Sequence, residues 1–172
     1  MSKRYNLPGV QQELIHRLKA DDLDRTQVTT LGVHIAGRKW LVDMADIGHV
    51  LPLPTLTVVP LTKQWFRGVV NVRGNLYCVT DMAAFLYDGM QHDAGADNAT
   101  TEPGNRLLLV ASKYAANAAL LVDKVQGLHD VCNWKKSNDD GHSVFIDDQG
   151  TSWHKLSVPL LLQQPEFLHI GI

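Results

Sequence analysis

The chain has 172 residues, of which 45% are hydrophobic and 20% are charged, and its formal net charge is −2. This composition is typical of a globular protein with one domain or two tightly joined half-domains. The small net charge argues against a broad nucleic-acid-binding surface. The sequence has no apolar run near the roughly 18 residues of a membrane helix and no signal-peptide pattern. We therefore expect a cytoplasmic protein that reaches a membrane only through a partner.

The first predicted element in chain order is a short amphipathic helix. Apolar residues recur at three- and four-residue spacing over residues 7–18, with polar residues between them. The polar run 21–24 ends this pattern, so residues 1–25 are predicted to form an extension before a domain at 26–172. Such an apolar stripe usually packs on its own domain, which we favour over a docking arm for a partner.

A β-hairpin is predicted next. Residues 26–35 show β alternation, residues 36–39 contain the Ala-Gly of a turn, and the return strand is Trp40-Leu41-Val42. A bend is expected at residues 43–46, followed by another strand at 47–51. Two prolines then end regular strand pairing.

Residues 65–81 are predicted to form strand, tight turn, strand and the start of a helix. Val69 to Val72 is β-branched, and Arg73-Gly74-Asn75 interrupts it with residues that tolerate a positive φ. Leu76 to Thr80 resumes an extended pattern. Asp81 is a suitable N-cap, because its carboxylate can accept from the free N–H groups of the first helical turn.

The rest of the chain is predicted to contain more hairpins and a last short helix. A helix over 82–86 ends near Gly89, and the Asp-, Ala-, Thr- and Gly-rich residues 90–104 are expected to form a surface loop. Residues 135–141 are interpreted as a polar loop, and Ser157 as the cap of the final helix. The remaining elements are strands at 107–111, 118–122, 125–131, 143–146 and 152–156, and a helix over 159–162.

These patterns together amount to about nine or ten short strands and two or three short helices. The strands follow one another in hairpins instead of alternating with long helices. This order excludes a parallel α/β sheet and favours a mainly β fold of small antiparallel barrels. Two barrels of about five strands each would divide near the 90–104 loop.

We find no set of residues typical of a catalytic, metal or cofactor site. The sequence lacks the G-x-S-x-G, H-E-x-x-H and P-loop motifs, its histidines are scattered singly, and Cys78 and Cys132 match no metal-ligand spacing. Asp43 and Asp46 could form a carboxylate pair, although turn and cap roles explain them equally well. We therefore predict a protein that is not an enzyme and has no metal or cofactor.

Two kinds of binding protein remain. Trp65, Arg67 and Arg73 could serve a single-strand nucleic-acid-binding barrel, which needs aromatic residues and a basic groove, but 18 acidic residues offset 16 basic ones. Protein binding fits better, since interface anchors are often Trp, Tyr and Arg. Arg67 and Arg73 each directly precede a glycine, and an arginine at a hairpin turn presents a planar charged donor on a rigid backbone.

The sequence resembles the CheW-like domain family. The run Gly68-Val69-Val70-Asn71-Val72-Arg73-Gly74, followed by Val79-Thr80-Asp81, is similar to the family's G-V-[IV]-N-[LV]-R-G-x-x-x-P-V-x-D-L. The segments 40–50 and 121–125 resemble two other conserved parts of the family pattern. Together these matches extend from about residue 29 to residue 131.

Within this family, the sequence resembles one subtype in particular. The residues Trp65-Phe66-Arg67-Gly68 with Asn71-Val72-Arg73-Gly74 are similar to the W-x-R-G-x-x-N-V-R-G of PilI-type coupling proteins of type IV pilus systems. This resemblance implies a non-enzymatic adaptor that joins the cytoplasmic tip of a methyl-accepting chemoreceptor to the regulatory domain of a CheA-type histidine kinase. Such adaptors work in receptor arrays at the membrane and control twitching motility.

The resemblance also implies a fold and a set of contact residues. The fold is two five-stranded antiparallel, SH3-like β-barrel subdomains with short helices at the N-terminus, after the first barrel hairpin and near the C-terminus. Gly68 corresponds to a position tied to kinase binding. The other positions are receptor-facing Ile47, His49, Val50, Arg73 and Gly74, and a possible further interface at Trp65, Arg67 and Asn71.

Three residues depart from the family pattern. Leu41 replaces a glycine, His49 replaces a glutamate, and Cys78 replaces a proline. The glutamate's ion pair is therefore expected to be lost or reversed in sign at His49. The main alternative is a flagellar chemotaxis coupling protein of the same family, and a nucleic-acid-binding β-barrel is a weaker one.

Overall fold

The computed structural model describes residues 29–87, 104–139 and 142–172. The predicted N-terminal helix, the helix stop at Gly89 and residues 90–103 of the predicted loop lie outside these residues. The described α-helices are α1 (Met82–Leu86), α2 (Val158–Gln163) and α3 (Pro165–Leu168). The described strands are β1 (Thr29–Ile35), β2 (Arg38–Asp43), β3 (Ile47–Pro52), β4 (Phe66–Val72), β5 (Asn75–Asp81), β6 (Arg106–Val110), β7 (Ala118–Val122), β8 (Lys124–Asp130), β9 (Lys135–Asp139), β10 (His142–Ile146) and β11 (Ser152–Leu156).

The strands form two sheets. One has six strands in the order β8-β1-β2-β11-β10-β9, and the other has five in the order β3-β6-β7-β5-β4. The prediction of a mainly β fold with a few short helices is therefore confirmed. Most neighbouring strands pair antiparallel, as expected, and two pairs, β2 with β11 and β5 with β7, are parallel.

The sheets do not divide at the 90–104 segment, where the sequence suggested a boundary. The six-stranded sheet contains β1 and β2 from before this segment and β8 to β11 from after it, while the five-stranded sheet combines β3 to β5 with β6 and β7. The chain therefore passes from one sheet to the other twice. Hairpin patterns are local, so they did not reveal these distant strand pairings.

β6 and β7 lie at the centre of the molecule and are buried on both faces. Their sequences are Arg-Leu-Leu-Leu-Val and Ala-Ala-Leu-Leu-Val, and after Arg106 all of these residues are apolar and buried, as expected for strands with no solvent face. On one side Leu108, Val110, Leu120 and Val122 meet β1 and β2 in the main core. The alternate residues, with Val70 and Val79, form a second core under the segment that follows β3.

The two edge strands of the five-stranded sheet are linked through this same segment. After β3, which ends at Pro52, the chain passes Pro54 and reaches Thr57, which forms an isolated bridge with Val69 of β4. The Thr57 N–H donates to the Val69 carbonyl at 2.8 Å, and the Val69 N–H donates back at 2.9 Å. The exposed edge of β4 is thus partly covered, which limits unwanted strand addition.

The helix ends follow their sequence signals in part. The Asp81 carboxylate accepts from the N–H groups of Ala83 and Ala84 at 3.0 and 3.2 Å, so the predicted N-cap of α1 is confirmed. Ser157 precedes α2 but makes no side-chain cap hydrogen bond, so that prediction is wrong. Pro159 in the first turn already suits a helix start, since its missing N–H has no helical partner.

The interpretation of residues 135–141 as a loop is also wrong in part. Residues 135–139 form β9, which pairs with β10 at the end of the six-stranded sheet. This strand has almost no apolar residues, so hydrophobic alternation could not reveal it. Lysines at a sheet edge discourage pairing with other chains, which explains the composition.

Candidate interaction surface on the five-stranded sheet

All nine residues singled out from the sequence lie in or beside the five-stranded sheet. Ile47, His49 and Val50 are on β3, and the other six are on, before or directly after β4. The six-stranded sheet contains none of them. The strands β3 and β4 are the opposite edges of this sheet, so the structure brings the residues to one sheet but not into one cluster.

The turn between β4 and β5 has the geometry of a two-residue hairpin loop. Val72 pairs with Asn75, so Arg73 and Gly74 form the loop, with φ angles of +53° and +87°. Positive φ at both positions is characteristic of a type I′ turn, which matches the twist of the flanking strands. The Gly74 N–H donates to Asn71 Oδ1 at 2.9 Å, so the Asn71 side chain helps to hold the turn.

Arg73 is an unusual residue for this position. Type I′ turns strongly favour Asn, Asp or Gly first, because a larger side chain with positive φ costs about 1 kcal/mol. The Arg73 side chain is exposed and makes no hydrogen bond or ion pair with any residue that the structure describes. The strained turn therefore presents a free guanidinium at the tip of a rigid hairpin. A Cβ added at Gly74 would meet nothing within 4 Å, so the tip is open.

The other end of the same strand is buried. Gly68 has a φ of +123°, and a Cβ built on it would lie 2.2 Å from the Thr57 carbonyl oxygen. The register of β4 shifts between Phe66 and Gly68, which leaves Arg67 as the extra residue of a β-bulge. Gly68 therefore lets the Thr57 segment approach β4 and presents no side chain to a partner.

Trp65 lies in the core and is only 6% exposed. Its ring is stacked on Phe167 of α3 with a centroid distance of 6.2 Å, and it meets Phe85 of α1 edge-on at 5.2 Å. The sequence suggested Trp65 as a possible interface residue. Its burial instead assigns it to a cluster of aromatic rings that joins β4 to α1 and the C-terminal α3, about 100 residues away in sequence.

The three residues on β3 differ in exposure. Ile47 is 6% exposed and belongs to the main core, so its side chain is not available to a partner. His49 and Val50 are exposed. A β-bulge between Ile47 and His49 separates the buried residue from the exposed pair, so of these three residues His49 and Val50 are the ones available for a contact.

Asp46 fixes the start of β3, and the sequence did not reveal this role. Its carboxylate accepts from Lys113 Nζ at 2.9 Å and from the Tyr114 hydroxyl at 2.6 Å, and its carbonyl accepts from the Ala111 N–H at 2.9 Å. The hydrogen bond to Asp46 raises the pKa of Tyr114 above its ordinary value. Asp43 instead forms an ion pair with Lys155, so Asp43 and Asp46 do not act as a carboxylate pair.

Asp123 lies directly after β7, and its N–H donates to the His34 carbonyl of β1 at 3.0 Å. The pKa of Asp123 is raised, because desolvation by burial outweighs the opposing effect of the Gly37 and Ala36 backbone groups. Both of these turn residues have positive φ, 72° and 51°.

Other features of the described residues bear on what kind of site this is. In the part of the chain that the structure describes, no group of three or more metal-ligating side chains comes together. No α-helix among those residues is long and apolar enough to cross a membrane. Cys78 and Cys132 are both exposed, and neither forms a disulfide with a residue that the structure describes.

Two sheets with a shared core and an exposed Arg-Gly hairpin define a mainly β protein. The family model described as "CheW-like domain" matches residues 29–165. This match covers most of the chain, and the chain belongs to the CheW-like domain family.

Two individual proteins are also similar to this chain. Protein PilI of Pseudomonas aeruginosa (strain PAO1) is 33% identical over 98 residues, which are 57% of this chain and 50% of that protein. The match thus spans half the length of that relative. The crystal structure of the scaffolding protein TtCheW from Thermoanaerobacter tengcongensis has a TM-score of 0.59 and 16% identity, and covers 76% of this chain and 88% of that one. At this identity TtCheW supports the fold alone.

Proposed function

We propose that this protein is a non-enzymatic adaptor that couples a membrane chemoreceptor to a CheA-type histidine kinase and thereby controls type IV pilus twitching motility. Membership of the CheW-like family and the similarity to PilI support the class of protein and the pilus system. The observation that carries the proposal is the exposed guanidinium of Arg73, held at the hairpin tip in a conformation that favours asparagine or glycine.

The receptor contact is proposed for the exposed residues of the five-stranded sheet. Arg73 and Gly74 form the open tip of the β4–β5 hairpin, while His49 and Val50 lie on the opposite edge strand. A guanidinium can make two parallel hydrogen bonds to one carboxylate, so an acidic side chain on the receptor is a suitable partner for Arg73. Ile47 is excluded as a direct contact by its burial.

The kinase contact is proposed for the surface that Gly68 positions. Gly68 is buried under Thr57, so a substitution there acts through the placement of the 53–58 segment against β4. Individual contacts of this type are often micromolar, about −8 kcal/mol. An array with many linked copies would raise the effective affinity without any new contact.

The test is receptor-stimulated kinase activity in a reconstituted array. The Arg73→Ala variant is expected to fold normally, because the exposed Arg73 side chain makes no hydrogen bond or ion pair with the described residues, and to lose at least about tenfold in coupling. Lys124→Ala is the matched control, since Lys124 is an exposed cation on the six-stranded sheet. Equal stimulation by the wild type and by Arg73→Ala would refute the role of the hairpin tip.

A flagellar output is the main alternative to a pilus output within the same family. Removing the gene and measuring twitching on a surface and swimming in liquid separates them. Loss of twitching with intact swimming is the expected result. The chain is similar to PilI, and the resemblance to PilI-type proteins implies a role in a type IV pilus system. Loss of swimming alone would assign the adaptor to a flagellar system.

A further inference from the structure

The six-stranded sheet is also packed on the face that is turned away from the main core. Leu41 and Trp153 are 0% and 1% exposed, yet they belong to neither of the two cores described above. Trp40 and Val42 of β2 face the main core, so Lys39 and Leu41, which alternate with them, point to the opposite face. A pocket of about 290 Å³ lies on this opposite face, and Lys39 and Trp153 are part of its lining.

Three aromatic rings form one wall of this pocket, which we call the two-tryptophan pocket. The ring of His129 lies 4.7 Å from that of Trp153 and 5.5 Å from that of Trp134, and the two indole rings are 5.6 Å apart, all measured between centroids. A Cβ added at Gly32 of β1 would lie 2.7 Å from the His129 ring and 3.0 Å from Trp153. Glycine at this position therefore lets two of the rings pack directly on the strand.

The carboxylate of Asp147 holds this wall in place. Its Oδ2 accepts from Trp153 Nε1 at 3.0 Å, and its Oδ1 accepts from the N–H groups of Gln149 and Thr151 at 3.0 and 2.8 Å. These hydrogen bonds, above all the one from Trp153, hold the pKa of Asp147 below its ordinary value. Asp147 therefore places a fixed negative charge at the edge of the Trp153 ring.

The charge of the lining selects a cation as the ligand. The lining contains two carboxylates, Asp147 and Asp148, and one ammonium group, that of Lys39. Asp148 is exposed and forms no ion pair within the described residues, so its charge is available to a ligand. The face of an indole ring is also negative and attracts a cation within about 6 Å of its centroid. An anion would be repelled by both features.

The chain itself shows that a cation fits here and that a second place for one is left. Lys39 Nζ lies 5.0 Å from the centre of the Trp153 ring. The Trp134 ring is only half-buried, and no cation of the described residues lies over it. The pocket therefore offers a second indole face, that of Trp134, and a second carboxylate, that of Asp148, for which the described part of the chain supplies no cation.

We propose that the two-tryptophan pocket binds the guanidinium group of an arginine side chain from another protein. The guanidinium stacks on the Trp134 ring and donates hydrogen bonds from its edge to the Asp148 carboxylate. A planar guanidinium can do both at once, whereas an ammonium group is compact and strongly hydrated.

The size and the place of the pocket support this kind of occupant. Its volume of about 290 Å³ suits the end of a side chain, because sites for whole small-molecule ligands usually measure about 300–1,000 Å³. The pocket lies on the six-stranded sheet, which carries none of the residues proposed for the receptor and kinase contacts. The inference therefore does not rest on the proposed function.

The experiment selects random peptides displayed on phage that bind the full-length chain, after depletion on the Trp134→Leu variant to remove peptides that bind elsewhere. We expect the selected peptides to share an arginine. In NMR titrations they should shift the indole N–H signals of Trp134 and Trp153 but not those of Trp40 and Trp65, which are not part of the pocket lining. Replacing the shared arginine by citrulline, which has nearly the same shape and no charge, should weaken binding at least about tenfold.

Two variants of the pocket should change peptide binding in opposite directions. Asp148→Asn removes an exposed carboxylate without an ion pair, so it should fold normally and weaken binding about threefold or more. Lys39→Met should strengthen binding about threefold or more, because it removes a like charge from the pocket. The matched controls are Glu166→Gln, at an exposed carboxylate of α3, and Lys63→Met, at a lysine that lies over the ring of Trp65 instead. Both controls should bind the peptides normally.

Any one of three results would overturn the proposal. They are a selection without peptides that share an arginine, citrulline peptides that bind as tightly as the arginine peptides, and weaker peptide binding by Lys39→Met than by the wild type. The methylguanidinium ion alone distinguishes a protein segment from a small cation, and it should bind at least about tenfold more weakly than the selected peptides. If this ion shifts the Trp134 signal while no peptide is enriched, the ligand is a free small cation and the proposed protein partner is refuted.

Discussion

The two ends of the β4–β5 hairpin have opposite physical roles, although both belong to one continuous sequence motif. At one end Trp65 and Gly68 are buried against α3 and the Thr57 segment. At the other end Arg73 and Gly74 are exposed, and among the described residues the Arg73 side chain makes no hydrogen bond or ion pair. One end holds the sheet in shape, and the other is free to bind a partner.

This difference changes how effects of mutation in the motif should be interpreted. Loss of partner binding after a change at the buried end reports a displaced Thr57 segment or a destabilised fold. The same loss after a change at the tip reports a missing contact. A measurement of stability beside every measurement of binding therefore separates the two ends.

Changing the two glycines to the same residue gives the largest expected difference. Gly68→Asn should lower the free energy of unfolding by about 4 kcal/mol or more, because the new Cβ would overlap the Thr57 carbonyl oxygen. Gly74→Asn should cost only about 1 kcal/mol, since its added Cβ meets open space. Urea unfolding of the two variants gives both values.

Similar costs for the two asparagine variants would show that the Thr57 segment yields to the new side chain. The buried end would then be as tolerant as the tip, and the distinction between them would fail. In that case a kinase-binding defect caused by a change at Gly68 could no longer be attributed to the position of residues 53–58.

A smaller effect is expected at Trp65. Trp65→Ala should lower the free energy of unfolding by about 3 kcal/mol, because it removes the ring that packs between α1 and α3. A double-mutant cycle with Phe167→Ala should show a coupling of about 1 kcal/mol, as measured for aromatic pairs. A Trp65→Ala protein with unchanged stability but impaired coupling would move Trp65 to the interaction surface.

The features that were predictable from the sequence are those set by neighbouring residues. Arg73-Gly74 as a turn, Asp81 as a cap and the apolar strands β6 and β7 all follow from local chemistry. The burial of Trp65 depends on Phe167, and that of Gly68 depends on Thr57, which pairs with β4 only because the chain turns back after β3. Local patterns carry no information on such distant contacts.

The same reason explains the features of the fold that local patterns did not reveal. The parallel pairing of β2 with β11 joins residues more than 100 positions apart, and the charged strand β9 is held by its pairing with β10 and not by an apolar face. At the site, Arg73 was identifiable because turn chemistry made it anomalous. The roles of Asp46 and Thr57 became visible only with their partners.

The smallest change in stability is expected at Arg73, at the tip of the β4–β5 hairpin, where a substitution should have a large effect on receptor-stimulated kinase activity. Arg73→Asn should raise the free energy of unfolding by about 0.5 kcal/mol, because asparagine suits the positive φ of this turn. The same variant should lose receptor-stimulated kinase activity. Arg73→Lys keeps the charge and the strain but loses the planar donor pair, so it should be no more stable and only partly active. A stabilised Arg73→Asn protein with full receptor-stimulated kinase activity would contradict this role. It would show that the arginine at this strained position contributes nothing to recognition.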